Sequence, residues 1–202
     1  MTELAPTVFV LDDNPRVRRS VCALLAAEGL RSEAYASARA FLAAYDPSRP
    51  GCLVLDLRLR GEHGLDLQDE LRRRKVGLPI IVLTAHGNVR ASVRAFKGGA
   101  VEFLEKPARP ATLLACIRSA LAMDETTRRQ TALGAAREQR LARLTPRERE
   151  ILTLLVAGKT SKEIATSLGL SVRTVEGHRA RIYLKTEVAS VAQLVRVVVA
   201  QA

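Results

Sequence analysis

The chain has 202 residues, 48% of them hydrophobic but only 3% aromatic, and a formal net charge of +11. That length suits two small domains whose cores must be filled by aliphatic side chains. No apolar run approaches the ~20 residues needed to cross a bilayer, and the opening "MTELAPTVFVLDD" lacks the basic and cleavage-type regions of a secretory signal, so a cytoplasmic protein with no membrane partner is expected.

From Thr7 to Met123, short β-type runs alternate with helical stretches. "TVFVLD" is the first strand. Asn14 caps the next helix and Pro15 takes its first position, where a missing N–H costs nothing; this helix stops at Gly29. "RSEAYA" is the second strand, and a helix over Ala38–Tyr45 is closed by "DPSRPG". "CLVLD" is the third strand, followed by the amphipathic helix "GLDLQDELRRR". "PIIVLT" is the fourth strand, "VRASVRAFKGG" a helix stopped by glycines, "VEFLEKP" the fifth strand and "ARPATLLACIRSALAM" the fifth helix. Such alternation implies crossover connections and a parallel sheet. The third and fourth strands are almost wholly apolar, as helices on both faces require.

Residues 124–143 lack an apolar stripe and read as a polar helical linker. Beyond them no strand is predicted. Thr145 with Glu148, Thr160 with Glu163 and Ser190 with Gln193 are spaced as capping boxes, and Ser171 caps a further helix. Four short helices therefore fill the last 60 or so residues. This part is also the more basic for its length: residues 124–202 hold 14 Lys/Arg against 8 Asp/Glu, and residues 1–123 hold 18 against 13. A basic C-terminal part points to nucleic acid. Cys22, Cys52 and Cys116, odd in number and set among apolar neighbours, read as small buried hydrophobes. His63, His86 and His178 show no metal-ligand spacing.

The carboxyl ends of strands one, three, four and five carry Asp12–Asp13, Asp56, Thr84 and Lys106. In a parallel sheet these ends share one edge, where function gathers. Three carboxylates with few nitrogens suit a hard cation, Mg²⁺ with Mn²⁺ as the alternative. Thr84 can donate a hydrogen bond and Lys106 can pair with a carboxylate or phosphoryl oxygen. Asp56 can attack a phosphoryl group to give an aspartyl phosphate.

"VLDDNPRVR", "LVLDLRL", "IVLTAHGNV" and "GAVEFLEKP" resemble the receiver domain of two-component response regulators. The resemblance implies a five-stranded, flavodoxin-like doubly wound fold in which Asp56 accepts phosphate from a sensor histidine kinase. It further implies that Asp13, Asp56 and the Arg58 carbonyl bind Mg²⁺, with Asp12 acting through water, and that Thr84 and Lys106 contact the phosphoryl group. Phe103 matches the family's conformational reporter, and Lys106–Pro107 its cis peptide. The family's departures here (Leu59–Arg60, Arg90 and Gly98–Gly99) touch no site residue.

"LTPREREIL", "AGKTSKEIA", "LGLSVRTVEGHRARIYLK" and "ASVAQLV" resemble the LuxR-type helix-turn-helix of NarL/FixJ-type regulators, closest to the FixJ subgroup. Ser161–Leu168 and Val172–Lys185 are its two helices. The second would enter the major groove. Thr174, Glu176, Gly177, His178 and Ala180 are expected near base edges. Arg173, Arg179, Arg181 and Lys185 supply its positive charge, and Lys159 and Lys162 hold phosphates.

The expected organisation is a receiver over 1–123, a helical linker over 124–143 and a DNA-binding domain over 144–202. The expected function is a phosphorylation-switched transcription factor, not an enzyme. Its partners would be promoter DNA, RNA polymerase and, once phosphorylated, a second copy of itself. Dimerisation is expected on the face made by the fourth helix, fifth strand and fifth helix, with Arg90, Arg94, Glu102, Arg109 and Arg118 as its polar residues. A phosphatase of the haloacid-dehalogenase kind also uses Asp, Thr, Lys and Mg²⁺. It places its nucleophile in a D-x-D at the first strand, whereas here the acidic pair is adjacent and the acceptor lies on strand three. A DNA binder with a degenerate receiver is disfavoured by the complete acidic set.

Overall fold

The structure, a computed structural model, describes residues 5–85 and 88–199. His86 and Gly87 of the "HGN" loop and residues 200–202 of the expected DNA-binding domain lie outside the described residues. The chain divides into two compact units, Met1–Arg129 and Gln130–Ala202. The boundary falls inside the segment expected as linker.

The first unit runs β1 (Thr7–Leu11), α1 (Pro15–Ala27), β2 (Arg31–Tyr35), α2 (Ala38–Ala44), β3 (Gly51–Leu55), β4 (Arg58–Leu59), β5 (Glu62–His63), α3 (Gly64–Arg73), β6 (Ile80–Thr84), α4 (Val89–Lys97), β7 (Ala100–Glu105) and α5 (Pro110–Ala142), the last passing into the second unit. Five strands form one parallel sheet in the order β2-β1-β3-β6-β7. Side chains alternate across a strand, and the core follows that parity. Phe9, Leu11, Leu53, Leu55, Ile80 and Val82 pack on one face with Phe41 of α2 and Leu67 and Leu71 of α3. Val8, Val10, Cys52, Val54, Ile81 and Leu83 pack on the other with Leu25 of α1 and Ile117 of α5. Both faces are covered, which is why the central strands are apolar throughout. Cys52 is buried, and burial, helped by the charge of Asp124, pushes its thiol up to about 12. Cys22 and Cys116 are half-buried against the same face.

Two features differ from the sequence reading. Residues 58–63 form a two-stranded antiparallel hairpin, β4 with β5. The fifth helix does not end near Met123; it continues unbroken to Ala142. The helix is pinned at that point. Asp124 Oδ2 accepts hydrogen bonds from the Gly51 N–H and from Arg128 Nε, both at 2.8 Å. Arg128 in turn donates to the carbonyls of Pro47, Ser48 and Arg49. An i,i+4 ion pair and a buried carboxylate thus hold residues 124–128 as part of the first unit.

The second unit comprises the end of α5 followed by α6 (Pro146–Val156), α7 (Ser161–Leu168), α8 (Val172–Thr186) and α9 (Val191–Val199). Capping boxes at Thr145/Glu148 and Thr160/Glu163 start α6 and α7, and Ser171 caps α8. Gln193 N–H bonds to Ser190 Oγ, but the Gln193 side chain accepts from Ala189 rather than closing the expected box. Ile151, Leu155, Ile164, Val175, Ile182 and Leu194 are fully or almost fully buried and form the core. Gly169 ends α7 in the left-handed region at φ 63°. That turn lets α8 pack back across α7, the helix-turn-helix arrangement.

Candidate functional site

The strand order reverses direction between β1 and β3, and in open α/β sheets the crevice at the strands' carboxyl ends there is where ligands bind. Asp12 and Asp13 follow β1, and Asp56 follows β3. Ligand oxygens from all three lie within 4.8 Å of one another. Asp12 and Asp56 are only 3% and 8% exposed. Carboxylates so placed require a cation. Lys106, just past β7, supplies one, with Nζ 2.5 Å from Asp12 Oδ2 and 2.6 Å from Asp56 Oδ2. Burial alone would depress the Lys106 pKa. The hydrogen bonds and charges of the two aspartates outweigh it and raise that pKa above the ordinary lysine value. Thr84 is buried at the end of β6, and its carbonyl accepts the Lys106 N–H at 2.8 Å. Lys106–Pro107 is cis. Phe103 is half-buried against the core on the side of α2 and α3.

Each oxygen of Asp56 has a defined neighbour. Oδ2 faces Lys106, and Oδ1 accepts the Arg58 N–H at 3.1 Å. Each keeps a further lone pair for an incoming group. Several supporting residues have no signature in the strand pattern. Arg18 of α1 donates to the Asp12 carbonyl at 2.6 Å, and Asp12 Oδ1 accepts the Asn14 N–H at 2.8 Å. Gly64 is needed because a Cβ there would lie 2.4 Å from the Asp56 carbonyl oxygen. His63 has a local role: its Nδ1 accepts the Leu65 N–H and caps α3. The glycine that closes the hairpin-like "LRLRGEHG" is the one sign of that close approach in the sequence.

Two of the arginines expected on the α4–β7–α5 face are turned elsewhere. Arg94 reaches Asp66 and Asp69 of α3 at 3.4 and 3.5 Å, and Arg118 reaches Glu28, the C-cap of α1, at 2.6 Å. Opposite charges on those neighbouring helices capture them. α4 presents an apolar stripe beside the exposed Arg90 and Lys97: Val89, Val93 and Phe96 are all exposed and recur at i, i+4 and i+7.

In the second unit, α8 divides its basic residues between two faces. Arg173, Thr174, Glu176, Ala180 and Arg181 are exposed, as are Lys159 and Lys162. Gly177 is half-buried. The Thr174 hydroxyl is bonded to Ser171 Oγ, and Arg181 Nε donates to the Gly177 carbonyl. Lys185 does not stand ready for a phosphate. Its Nζ lies 2.7 Å from Glu148 Oε2, on a carboxylate that is itself buried. Burial alone would raise the Glu148 pKa, but hydrogen bonds from Lys185 and Thr145 outweigh it and hold it below the ordinary carboxylate value. Arg179 is also committed within the unit. Its guanidinium bonds to Ser161 Oγ, Glu176 and Tyr183, and the Tyr183 contact leads the causes that raise its pKa. His178 is half-buried, and its Nδ1 is sealed from solvent with no hydrogen-bond partner among the described residues. Positions 178, 179 and 185 lie on the same side of the helix as Val175 and Ile182, so packing claims them.

A doubly wound sheet with carboxylates at its switch point and a lysine across from them is the receiver architecture. A four-helix unit with a helix-turn-helix at its centre is the architecture of a DNA reader. Residues 8–118 match the family model described as response regulator receiver domain, and residues 142–198 match bacterial regulatory proteins of the luxR family. The chain is 42% identical over 196 residues to the transcriptional regulatory protein FixJ of Azorhizobium caulinodans, covering 97% of this chain and 92% of that one. It is also 42% identical over 199 residues to the transcriptional regulatory protein TdiR of Thauera aromatica, covering 96% and 86%. Among solved structures, the response regulator StyR superposes with a TM-score of 0.91 at 40% identity, covering 96% of this chain and 98% of that one. The chain belongs to the response regulators that join a receiver domain to a LuxR-type DNA-binding domain. It is a transcriptional regulator that binds DNA under the control of phosphorylation. Among the described residues, no helix is long and apolar enough to cross a membrane.

Proposed function

We propose that Asp56 is the phosphoacceptor and that a sensor histidine kinase supplies the phosphoryl group. An Asp56 oxygen attacks phosphorus, an O–P bond forms, and the donor's P–N bond breaks with its electron pair left on the imidazole nitrogen. The observation that carries this reading is the convergence of Asp12, Asp13 and Asp56, with the Lys106 ammonium bridging Asp12 and Asp56. The hard-oxygen set fits Mg²⁺, or Mn²⁺ in its place, held by Asp13, Asp56 and the Arg58 carbonyl with Asp12 behind a water. The ion would neutralise charge on the carboxylates and the incoming oxygens. Lys106 and Thr84 would then turn to the phosphoryl oxygens and Phe103 would follow inward. Residues 1–129 act as the switch, 130–143 as the linker and 144–202 as the DNA-binding part, in the cytoplasm and with RNA polymerase as the downstream partner. The test is intact mass after treatment with Mg²⁺ and a small phosphodonor. One phosphoryl group should be added, and Asp56→Asn should take none, because an amide is not a nucleophile here; full labelling of that variant would refute the assignment.

Phosphorylation should also drive dimerisation through the α4–β7–α5 face. Its support is the exposed Val89–Val93–Phe96 stripe, since monomeric proteins rarely expose a contiguous apolar patch without a use for it. Two tethered readers gain affinity for paired half-sites through effective concentration. Sedimentation with and without the phosphodonor tests this, and Val93→Asp should keep the phosphorylated protein monomeric.

A further inference from the structure

The outward face of α8 carries a pattern that phosphate binding does not need. At 3.6 residues per turn, Arg173, Gly177, Ala180 and Leu184 fall on one side of the helix. Val175 and Ile182, on the opposite side, are fully buried. Leu184 is 79% exposed, as far from the core as the helix allows. A lone exposed leucine would need no explanation, but this one is in line with two residues that have almost no side chain. Glycine is the poorest helix former after proline, and Gly177 stands in the middle of a 15-residue helix. Nothing among the described residues asks for it. A Cβ at that position would meet only the Arg181 guanidinium at 3.7 Å, an ordinary contact. A glycine that no described neighbour requires points to a neighbour outside the chain.

We propose that Leu184 is a sequence-reading residue that packs on the C5-methyl group of a thymine in the major groove, with Gly177 and Ala180 letting the helix lie close against the base edges. This rests on the assignment of α8 as the reading helix. Thymine is the one base that presents a methyl group there; the other edges present hydrogen-bond donors and acceptors that a leucine would strip of water unpaired. The surroundings favour DNA over a protein surface. Arg173 and Arg181 flank the stripe, Lys159 and Lys162 are exposed on the same unit, and one leucine is too small an apolar area to hold a protein partner. Leu184 lies about 6 Å along the helix from Ala180, so its thymine lies one to two base pairs from those beneath Ala180.

The experiment uses the full chain treated with a small phosphodonor. Preferred duplexes are selected from a random-sequence pool, then remade with deoxyuridine at each thymine in turn. Wild type should bind about fourfold more weakly when one particular methyl in each half-site is lost, the worth of about one buried methylene. Leu184→Ala should bind the thymine and uracil duplexes equally, and Leu184→Met should keep the difference. Gly177→Ala, which leaves the fold intact, should weaken binding to the selected duplexes. The proposal is overturned if Leu184→Ala retains the same uracil profile, or if it weakens both duplexes alike while lowering occupancy from two copies to one. If Arg173→Ala and Gly177→Ala also bind as wild type, the reading helix itself is misassigned; if they respond and Leu184→Ala does not, only the present proposal falls.

Discussion

The acidic crevice and the recognition helix are both clusters of charge, yet they use charge in opposite ways. In the crevice Asp12, Asp56 and Lys106 are turned inward, and the two carboxylates are held against each other by Lys106. Any cation that replaces the lysine's share of the work can enter the same balance. On α8 the cations divide. Lys185 and Arg179 are bound into the unit, while Arg173 and Arg181 face out. The lesson is that a site of convergent strand ends can be read from residue types alone. A charged helix cannot be read until its buried face is known.

The sharpest break in this comparison is at Lys106. Lys106→Ala should destabilise the first unit by about 3 kcal/mol by leaving buried carboxylates unpaired. Millimolar Mg²⁺ should restore more of the melting temperature in the variant than it adds to wild type, by ordinary linkage. No such rescue should exist on α8. Lys185→Ala should lower the stability of the second unit by about 1–3 kcal/mol, as expected when a buried carboxylate loses its partner, and Mg²⁺ should not recover it. Arg173→Ala should do the reverse. Its melting temperature should match wild type, while DNA affinity falls and the slope of log affinity against log salt drops by about 0.9. An Arg173 variant with an unchanged slope would place the phosphate contacts elsewhere.

The smallest effect concerns pH. The Glu148 pKa is lowered on folding from an ordinary value of 4.5. Its contribution to stability is therefore fully present above pH 4.5 and is lost as pH falls through the folded value. The stability gap between wild type and Glu148→Gln, measured by urea unfolding, should narrow below about pH 4.5. A gap that is constant with pH would mean that the Lys185 pair contributes nothing that depends on charge.

Much of the fold is legible because apolar runs and glycine stops are local. The five strands of the sheet, the helix caps at Asn14, Thr145, Thr160 and Ser171, and the gathering of Asp12, Asp13, Asp56 and Lys106 at one edge all follow from strand type and strand direction. Contacts between different elements are not legible that way. Arg18 bonding the Asp12 carbonyl, Gly64 against Asp56, and Lys185 on Glu148 each depend on which helix face meets which neighbour. The same holds for Arg94 and Arg118, whose partners on α3 and at the end of α1 carry no mark in a linear reading. The unbroken α5 was hidden for a different reason. A polar stretch reads as a linker, and only the bonds of Asp124 and Arg128 to residues 47–51 show that its first turns are part of the first unit.

Those bonds bear on how such a protein can be taken apart and recombined. A switch module excised at Met123 would leave behind the arginine that ties down the loop from Pro47 to Arg49, and the Gly51 N–H would lose its acceptor. One excised after Arg129 would carry the whole clasp with it. Grafts of a foreign output module should therefore tolerate a junction after Arg129 and suffer from one after Met123, although both cuts pass through the same uninterrupted helix.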